Sequence, residues 1–252
     1  MEAYTGFAGV YDMFMEDIPY EKWRDFLTGV LRKEGIENGI VCELGCGTGR
    51  MTRLLAECGY DMIGIDASEE MLSVAREHES EGILYLAQDM REFELYGTVR
   101  AVISICDSMN YLLEDSQILA VLRLVNNYLD PGGIFVFDLN TDYKFRTQFG
   151  QQTFSEHREE GSLIWDNFYD EKERINEYAL TLFIQEEQGL YRKYEETHYE
   201  RGYSLDEIVR LIECAGMEFV CSYDGEDYGP VREDSGRIYV IAREHGKPVL
   251  EH

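Results

Sequence analysis

Basic residues are scarce in this sequence. Its 252 residues include 23 lysines and arginines against 50 aspartates and glutamates, which gives a formal net charge of −27. Such a charge repels phosphate backbones and anionic membrane surfaces unless a local basic patch intervenes, and no run of Lys and Arg forms one. We therefore expect neither nucleic acid nor a membrane as a partner. Small neutral or cationic substrates suit the charge, although a highly soluble surface explains it equally well.

Paired cysteines and long apolar runs are also missing. The six cysteines contain no Cys-x-x-Cys pair, so their spacing predicts neither a zinc site nor a disulfide framework. No apolar run approaches the roughly 20 residues of a membrane helix, and the sequence does not begin with a basic region followed by an apolar core. We expect a cytoplasmic protein without a bound metal. Residues 250–252 are interpreted as the remnant of an expression tag.

Short apolar runs alternate with helical periods between residues 40 and 139, which indicates strand-helix-strand units and a mainly parallel sheet. The predicted strands are residues 40–44, 61–65, 83–87, 99–105 and 134–139. The predicted helices are residues 51–58, 69–77 and 116–129. Ser68 is a natural N-cap for the second helix, and the Asp130-Pro131-Gly132-Gly133 sequence ends the third. The fold prediction is α/β, with a doubly wound, Rossmann-like sheet.

Long alternating segments, rich in aromatic and charged residues, follow Asn140, and no helix is expected before Ser204. They predict an antiparallel layer with strands at residues 154–158, 163–169, 175–185 and 191–199. A helix over residues 204–214 follows it. Two last strands, residues 218–223 and 237–242, could add a hairpin to the sheet edge. We predict one domain from residues 1–145 and 201–249, with residues 146–200 inserted as a layer that covers the substrate.

Aromatic residues recur at helical spacing near the start of the chain, among them Tyr11 and Tyr20. A segment that precedes the first strand can fold over the carboxyl ends of the strands, where open α/β sheets bind ligands. We interpret residues 1–31 as a lid over such a site. A helix that simply packs in the core is the alternative.

Glycine occupies every second position after the first predicted strand, in VCELGCGTGR at residues 41–50. Alternate glycines let the backbone pass close to a ligand at φ values that a side chain disfavours. A dinucleotide fingerprint needs glycine or alanine where Arg50 stands, so a nicotinamide cofactor fits poorly. Glu43 begins an E-x-G-x-G-x-G pattern that resembles motif I of the class I S-adenosylmethionine-dependent methyltransferases. A tight turn without a ligand is the alternative.

Later strand ends supply further groups that suit S-adenosyl-L-methionine. Asp66 ends the second predicted strand, where a carboxylate can accept hydrogen bonds from both ribose hydroxyls. Asp89 can hold the adenine amino group while the amide of Met90 meets a ring nitrogen. Met71 and Met90 can provide apolar faces for the adenine, although such methionines also occur in ordinary cores.

The resemblance implies further contacts at the two ends of the cofactor. Glu43 and the Gly45 carbonyl are placed to receive its ammonium, and Tyr11 and Tyr20 to close over it. The complete predicted cofactor set is Tyr11, Tyr20, Glu43, Gly45, Cys46, Gly47, Gly49, Asp66, Ala67, Met71, Asp89, Met90 and Asp107.

The loop after the fourth predicted strand, residues 106–111, should reach the same edge beside the transferred methyl group. Methyl transfer is an in-line displacement that depends mostly on positioning and desolvation, so a base is optional for an amine. An oxygen or carbon nucleophile would need one. Our candidates are Asp107, Tyr111 and His198, with Asp138 as a further carboxylate. A structural role is the alternative for His198.

The resemblance extends along nearly the whole chain. The layout is similar to that of bacterial small-molecule methyltransferases with an antiparallel insertion, such as the aminosugar N-methyltransferases. Those enzymes carry a histidine where this chain has Tyr111, so we do not assign their substrate to this protein. We predict methyl transfer from S-adenosyl-L-methionine to an amine or hydroxyl of a small molecule. The alternatives are a non-catalytic cofactor-binding protein and a nicotinamide-dependent oxidoreductase, and the oligomeric state stays open.

Overall fold

The computed structural model describes residues 14–15, 18–78, 82–186 and 189–247. Tyr11, much of the predicted lid and residues 250–252 lie outside the described residues. The helices are α1 (Tyr20–Lys33), α2 (Arg50–Glu57), α3 (Glu69–Glu77), α4 (Asp115–Tyr128) and α5 (Leu205–Cys214). The strands are β1 (Gly39–Leu44), β2 (Tyr60–Asp66), β3 (Ile83–Ala87), β4 (Val99–Ser104), β5 (Leu129–Asn140), β6 (Thr153–His157), β7 (Gly161–Asp170), β8 (Ile175–Gln185), β9 (Tyr191–Arg201), β10 (Glu218–Asp224) and β11 (Arg237–Arg243).

Seven strands form one mixed sheet in the order β10-β11-β5-β4-β1-β2-β3. The five strands from β5 to β3 run parallel, while β10 and β11 form an antiparallel hairpin at the edge, as predicted. The predicted doubly wound α/β fold is confirmed. Strand order reverses between β1 and β4, and such a reversal opens a crevice at the carboxyl ends of the strands.

Helices cover both faces of this sheet because side chains alternate along its buried strands. Val41 faces α1 and α2, whereas Cys42 faces the opposite layer, formed by α4 and α5. The helix ends follow local signals. The Ser68 hydroxyl accepts a hydrogen bond from the Met71 amide at 3.2 Å, and Ser204 begins α5 in a capping box with Glu207.

The second half of the predicted lid lies in α1, whose Trp23, Leu27 and Leu31 are buried against the sheet. This is the core packing given above as the alternative. Phe14, which precedes α1, packs instead against Leu182 of the inserted sheet. Phe14 thus contacts the insertion, while α1 belongs to the core.

The inserted strands form a separate antiparallel sheet in the order β6-β7-β8-β9. The antiparallel layer is therefore confirmed. The expectation of no helix before Ser204 is wrong, because a helical turn at Asp142–Lys144 continues into a π-helical turn at Phe145–Phe149. The Thr141 hydroxyl caps it by accepting a hydrogen bond from the Lys144 amide at 3.3 Å. Phe145 then packs against aromatic side chains of the insertion.

A membrane-spanning helix must be both long and apolar, and none of the helices in the described part of the chain meets both conditions.

Candidate functional site

A cavity of about 570 Å³ lies at the carboxyl edge of the parallel strands, beside the reversal of strand order. The ends of β1, β2, β3 and β4 contribute to its walls. The predicted site residues that line it are Tyr20, Glu43, Gly45, Cys46, Gly47, Asp66, Ala67, Met71, Asp89, Met90 and Tyr111. Three other predicted residues, Gly49, Asp107 and His198, are placed around this cavity rather than in its walls.

The glycine loop owes its path to backbone that only glycine adopts readily. Gly45, Gly47 and Gly49 have φ values of +71°, +53° and +73°. A Cβ atom at Gly45 would lie 2.5 Å from Ser108 Oγ, and one at Gly49 would lie 2.8 Å from Tyr85 Cζ. Gly49 therefore makes room for Tyr85 beneath the loop, a structural role that the sequence prediction did not include, and its contact with the cofactor stays a prediction.

Replacing Gly49 by alanine should destabilise the protein by about 2–4 kcal/mol, because left-handed backbone costs a side chain about 1–2 kcal/mol and the Tyr85 ring must also move. Gly35→Ala is the matched control, since Gly35 has φ +76° and no described protein atom lies within 4 Å of its added Cβ. Urea denaturation of both variants separates the contact from the backbone cost. Equal losses of stability would show that the Tyr85 contact is harmless.

Glu43 is a buried carboxyl group in the cavity wall, with only 2% of its surface exposed. The Thr52 hydroxyl of α2 donates a hydrogen bond to it. Burial raises the pKa of Glu43 to about 8, and the nearby Asp66 adds to this effect. A buried acid of this kind favours a cationic ligand that can neutralise its ionised form.

Asp66 joins the glycine loop to the end of β2. Its Oδ2 atom accepts a hydrogen bond from the Gly47 amide at 2.7 Å, and Oδ1 accepts one from the Ser68 amide at 2.8 Å. Burial raises the pKa of Asp66, although these amide donors oppose the shift. The Ala67 amide also stabilises this carboxylate, whose roughly four lone-pair sites still allow it to accept from a ligand. The loop-anchoring bond was missed by the sequence prediction, which assigned Asp66 to a ligand alone.

Asp89 lies across the cavity from the glycine loop and is paired with Arg91. Arg91 Nε donates to Oδ1 at 2.9 Å, and its Nη2 atom lies 2.5 Å from Oδ2. This hydrogen bonding lowers the pKa of Asp89, so an ionised carboxylate is available to a donor on the ligand. Met71 and Met90 line the same part of the cavity. Arg91 also lines it, a contact that the sequence prediction missed.

Tyr111 forms the wall nearest the inserted sheet. Its Oη atom lies 3.4 Å from His198 Nδ1, and His198 Nε2 lies 3.1 Å from Glu196 Oε2. His198 is 3% exposed and does not line the cavity, whereas Tyr111, which it contacts, does. The structure thus brings together Tyr111 and His198, two of the predicted catalytic residues. It also places Glu196, which the sequence prediction did not include, in contact with His198.

Asp107, the third predicted catalytic residue, lies in a neighbouring buried charge cluster. Arg237 Nη2 lies 2.5 Å from Asp107 Oδ1, and Arg237 Nη1 contacts the Asp138 carboxylate. Burial alone would raise the pKa of Asp107, but Arg237 and Lys144 outweigh it and hold the pKa below its ordinary value. Ion pairing makes the Asp107 carboxylate a weak base. Burial instead raises the pKa of Asp138, which has no exposed surface and does not line the cavity. Their candidate roles as bases stay predictions.

Tyr20, the first residue of α1, lines the cavity and contacts neighbouring elements. The Arg50 guanidinium stacks over the Tyr20 ring at 4.5 Å and donates a hydrogen bond to the Met15 carbonyl at 3.3 Å. Cys106 Sγ lies 3.9 Å from Tyr20 Oη. Tyr20 therefore connects α2, the helix that follows the glycine loop, to the loop after β4. The resemblance implies that Tyr20 closes over the cofactor at this position.

Comparison with known proteins fits this geometry. A methyltransferase domain model matches residues 41–133. YqeM of Bacillus subtilis, named as a methyltransferase, is 35% identical over 218 residues, which are 85% of this chain and 86% of YqeM. An S-adenosylmethionine-dependent methyltransferase from Clostridium acetobutylicum superposes with a TM-score of 0.85 at 25% identity, covering 97% of this chain and 100% of the other. The chain belongs to this methyltransferase family.

The antiparallel insertion also has a counterpart among solved methyltransferases. The sugar N-methyltransferase KedS8 from Streptoalloteichus superposes with a TM-score of 0.77 over 92% of each chain. Its 18% identity shows a shared fold alone. The resemblance to class I methyltransferases that the glycine motif and strand-end acids indicate is therefore confirmed.

The cavity suits the family cofactor, S-adenosyl-L-methionine, by its chemistry. Glu43 can neutralise an ammonium, Asp66 offers free lone pairs to a diol, and Met71 provides an apolar face for an aromatic base. Gly45 and Gly47, both with left-handed backbone, line this wall without a side chain.

Proposed function

We propose that this methyltransferase acts on an amine or hydroxyl group of a small molecule. The observation that carries the proposal is the position of Tyr111, which lines the cofactor cavity and contacts the inserted sheet through His198. An acceptor bound in the cavity beside Tyr111 would lie under a layer that suits a small molecule better than a polymer. The charge of −27 and the sugar N-methyltransferase fold of KedS8 support this class of acceptor.

We infer the cofactor roles of individual residues from the same geometry. When bound, S-adenosyl-L-methionine supplies an electrophilic methyl group on a sulfonium. Glu43 and the Gly45 carbonyl hold its ammonium, Asp66 holds the ribose, and Asp89 with the Met90 amide holds the adenine edge. Residues 1–145 and 201–249 would then bind the cofactor, while residues 146–200 cover the acceptor.

Replacing Asp66 by alanine should weaken binding of S-adenosyl-L-methionine by about 1–3 kcal/mol, because ribose hydrogen bonds and the anchor of the glycine loop are both lost. Asp61→Ala is the matched control, since Asp61 is an exposed residue on the same strand. Calorimetric titration of both variants gives the two affinities. An unchanged affinity in the Asp66 variant removes this residue from the proposed site.

A transfer assay tests the acceptor class. Protein incubated with methyl-labelled S-adenosyl-L-methionine and a panel of small amines, phenols and alcohols should label at least one of them. Peptide and RNA pools serve as competing macromolecular acceptors. Label that enters only these pools overturns the proposal. The absence of any labelled acceptor, despite tight cofactor binding, would favour the non-catalytic alternative.

A further inference from the structure

We propose that Tyr111, His198 and Glu196 form a proton relay that carries the acceptor's proton away from the cavity. This inference rests on the proposed function, and it makes Glu196 a positioning residue that acts through His198. It also assigns base chemistry to the inserted sheet rather than to the acids at the ends of β4 and β5.

The three side chains form a continuous line from the cavity into the insertion. Tyr111 ends the 3₁₀ turn Ser108–Tyr111 and lines the cavity. Its ring meets that of His198 edge-on, with centroids 5.9 Å apart and an interplanar angle of 86°. The Oη to Nδ1 distance of 3.4 Å is long, as catalytic hydrogen bonds often are before a substrate binds.

The contact with Glu196 selects the tautomer that a neutral imidazole at His198 would adopt beside an ionised carboxylate. An ionised carboxylate can only accept, so Glu196 requires the hydrogen on Nε2, at a distance of 3.1 Å. In that tautomer Nδ1 is the hydrogen-bond acceptor that faces the Tyr111 hydroxyl. The nitrogen of His198 that can accept a hydrogen bond therefore faces Tyr111. In this orientation His198 can take up a proton that Tyr111 passes on from the cavity.

The inward face of β9 is unusually polar for a covered sheet face. Glu196, His198 and Glu200 alternate along it, and His198 and Glu200 are 3% and 4% exposed. Apolar side chains would cover this face at lower cost, because buried ionisable groups are expensive to desolvate. The outward neighbour Glu195 instead pairs with Lys193 at 2.7 Å and keeps 67% of its side chain exposed.

Two other buried carboxyl groups near the relay, those of Asp107 and Glu200, have partners outside it. Asp107 is paired with Arg237, and Glu200 accepts a hydrogen bond from Tyr178 Oη at 3.0 Å. Burial, together with the nearby Asp107, raises the pKa of Glu200 well above its ordinary value.

The step balances without another reactant. The acceptor's oxygen or nitrogen forms a bond to the methyl carbon as the carbon–sulfur bond breaks, and the electron pair of that bond returns to sulfur. The acceptor's proton passes to Tyr111 Oη, whose own proton passes to His198 Nδ1. The resulting imidazolium is stabilised by Glu196 and later gives its proton back through Tyr111 to solvent.

Nitrogen NMR of the full chain labelled with ¹⁵N-histidine tests the relay without any acceptor. His198 should appear as the Nε2–H tautomer, with His198→Gln used to assign its signals. Glu196→Ala should convert it to a mixture of tautomers, whereas Glu195→Ala should leave it unchanged. A mixed or Nδ1–H tautomer in the unmodified protein overturns the relay, as does a tautomer that is insensitive to Glu196→Ala.

Transfer to two phenol probes tests the proton step itself. With phenol, Tyr111→Phe should lower kcat about 10²–10⁴-fold and Glu196→Gln about 10–100-fold, while KM changes little. With 4-nitrophenol, which is far more acidic than phenol and is largely ionised in mildly alkaline buffer, both losses should shrink in that buffer to about threefold or less. Glu195→Gln is the matched control and should behave as the unmodified protein with both probes.

The two possible failures can be told apart. Equal losses with both phenols, or equal losses for Glu195→Gln and Glu196→Gln, overturn the relay while leaving the methyltransferase function intact. If the unmodified protein methylates no amine, phenol or alcohol, the proposed acceptor class fails, and the histidine tautomer alone then decides the relay. Cofactor affinity measured by calorimetry confirms that each variant is folded.

Discussion

Replacing Arg237 by alanine should lower the free energy of unfolding by about 3–5 kcal/mol. Arg237 lies between the carboxylates of Asp107 and Asp138, and the Asp138 side chain has no exposed surface. Its removal leaves two acids facing each other in a buried setting. Such a loss is characteristic of breaking a buried ion pair from one side, because the remaining charge cannot be solvated. Denaturant unfolding gives the difference directly.

Two further variants separate this effect from the loss of an ordinary arginine. Arg243→Ala, on the same strand, removes a partly exposed ion pair with Glu34 and should cost at most about 1 kcal/mol. Adding Asp138→Asn to Arg237→Ala should recover part of the stability, because one buried charge is then absent. A loss for Arg237→Ala no larger than that for Arg243→Ala contradicts the buried-cluster interpretation.

Binding of S-adenosyl-L-methionine should release a proton and weaken as the pH falls. Glu43 has a pKa of about 8 in the free protein, so it is mostly protonated below that pH. The cofactor's ammonium favours the ionised carboxylate, and binding must therefore expel the proton. The linkage lowers the affinity by up to about tenfold per pH unit, or about 50-fold between pH 8 and pH 6, because half of the Glu43 carboxyl groups are already protonated at pH 8.

Calorimetry in buffers of different ionisation enthalpy counts the released protons. The Glu43→Gln variant should bind more weakly at pH 8 and should lose most of the pH dependence, because glutamine does not titrate. Asp66→Asn is the necessary second variant, since burial also raises the pKa of Asp66. Proton release that persists in Glu43→Gln but disappears in Asp66→Asn would assign the effect to Asp66 instead.

Local sequence patterns were sufficient for the elements that position the cofactor cavity. β1, the glycine loop and the start of α2 are consecutive in the chain, and the Ser68 cap lies next to Asp66. Hydrogen bonds between such near neighbours depend on spacing that the sequence displays. The strand-end rule then places Glu43, Asp66 and Asp89 at one edge of the sheet.

Partners that are distant in the chain could not be predicted in the same way. Asp107 and Arg237 are 130 residues apart, and nothing near either residue identifies the other. The same limitation applies to Tyr111 and His198, since their contact depends on how the insertion packs over the β4 loop. The turn that begins after Thr141 was missed because three helical residues produce no detectable periodicity.

A crystal structure with S-adenosylhomocysteine, the demethylated product, tests the central claim most directly. We expect the ligand in the cavity of about 570 Å³, with its amino group about 3 Å from the Glu43 carboxylate and its ribose hydroxyls about 3 Å from Asp66. The sulfur should point toward Tyr111. A ligand bound outside this cavity, or one whose amino group and ribose contact neither acid, would contradict the account.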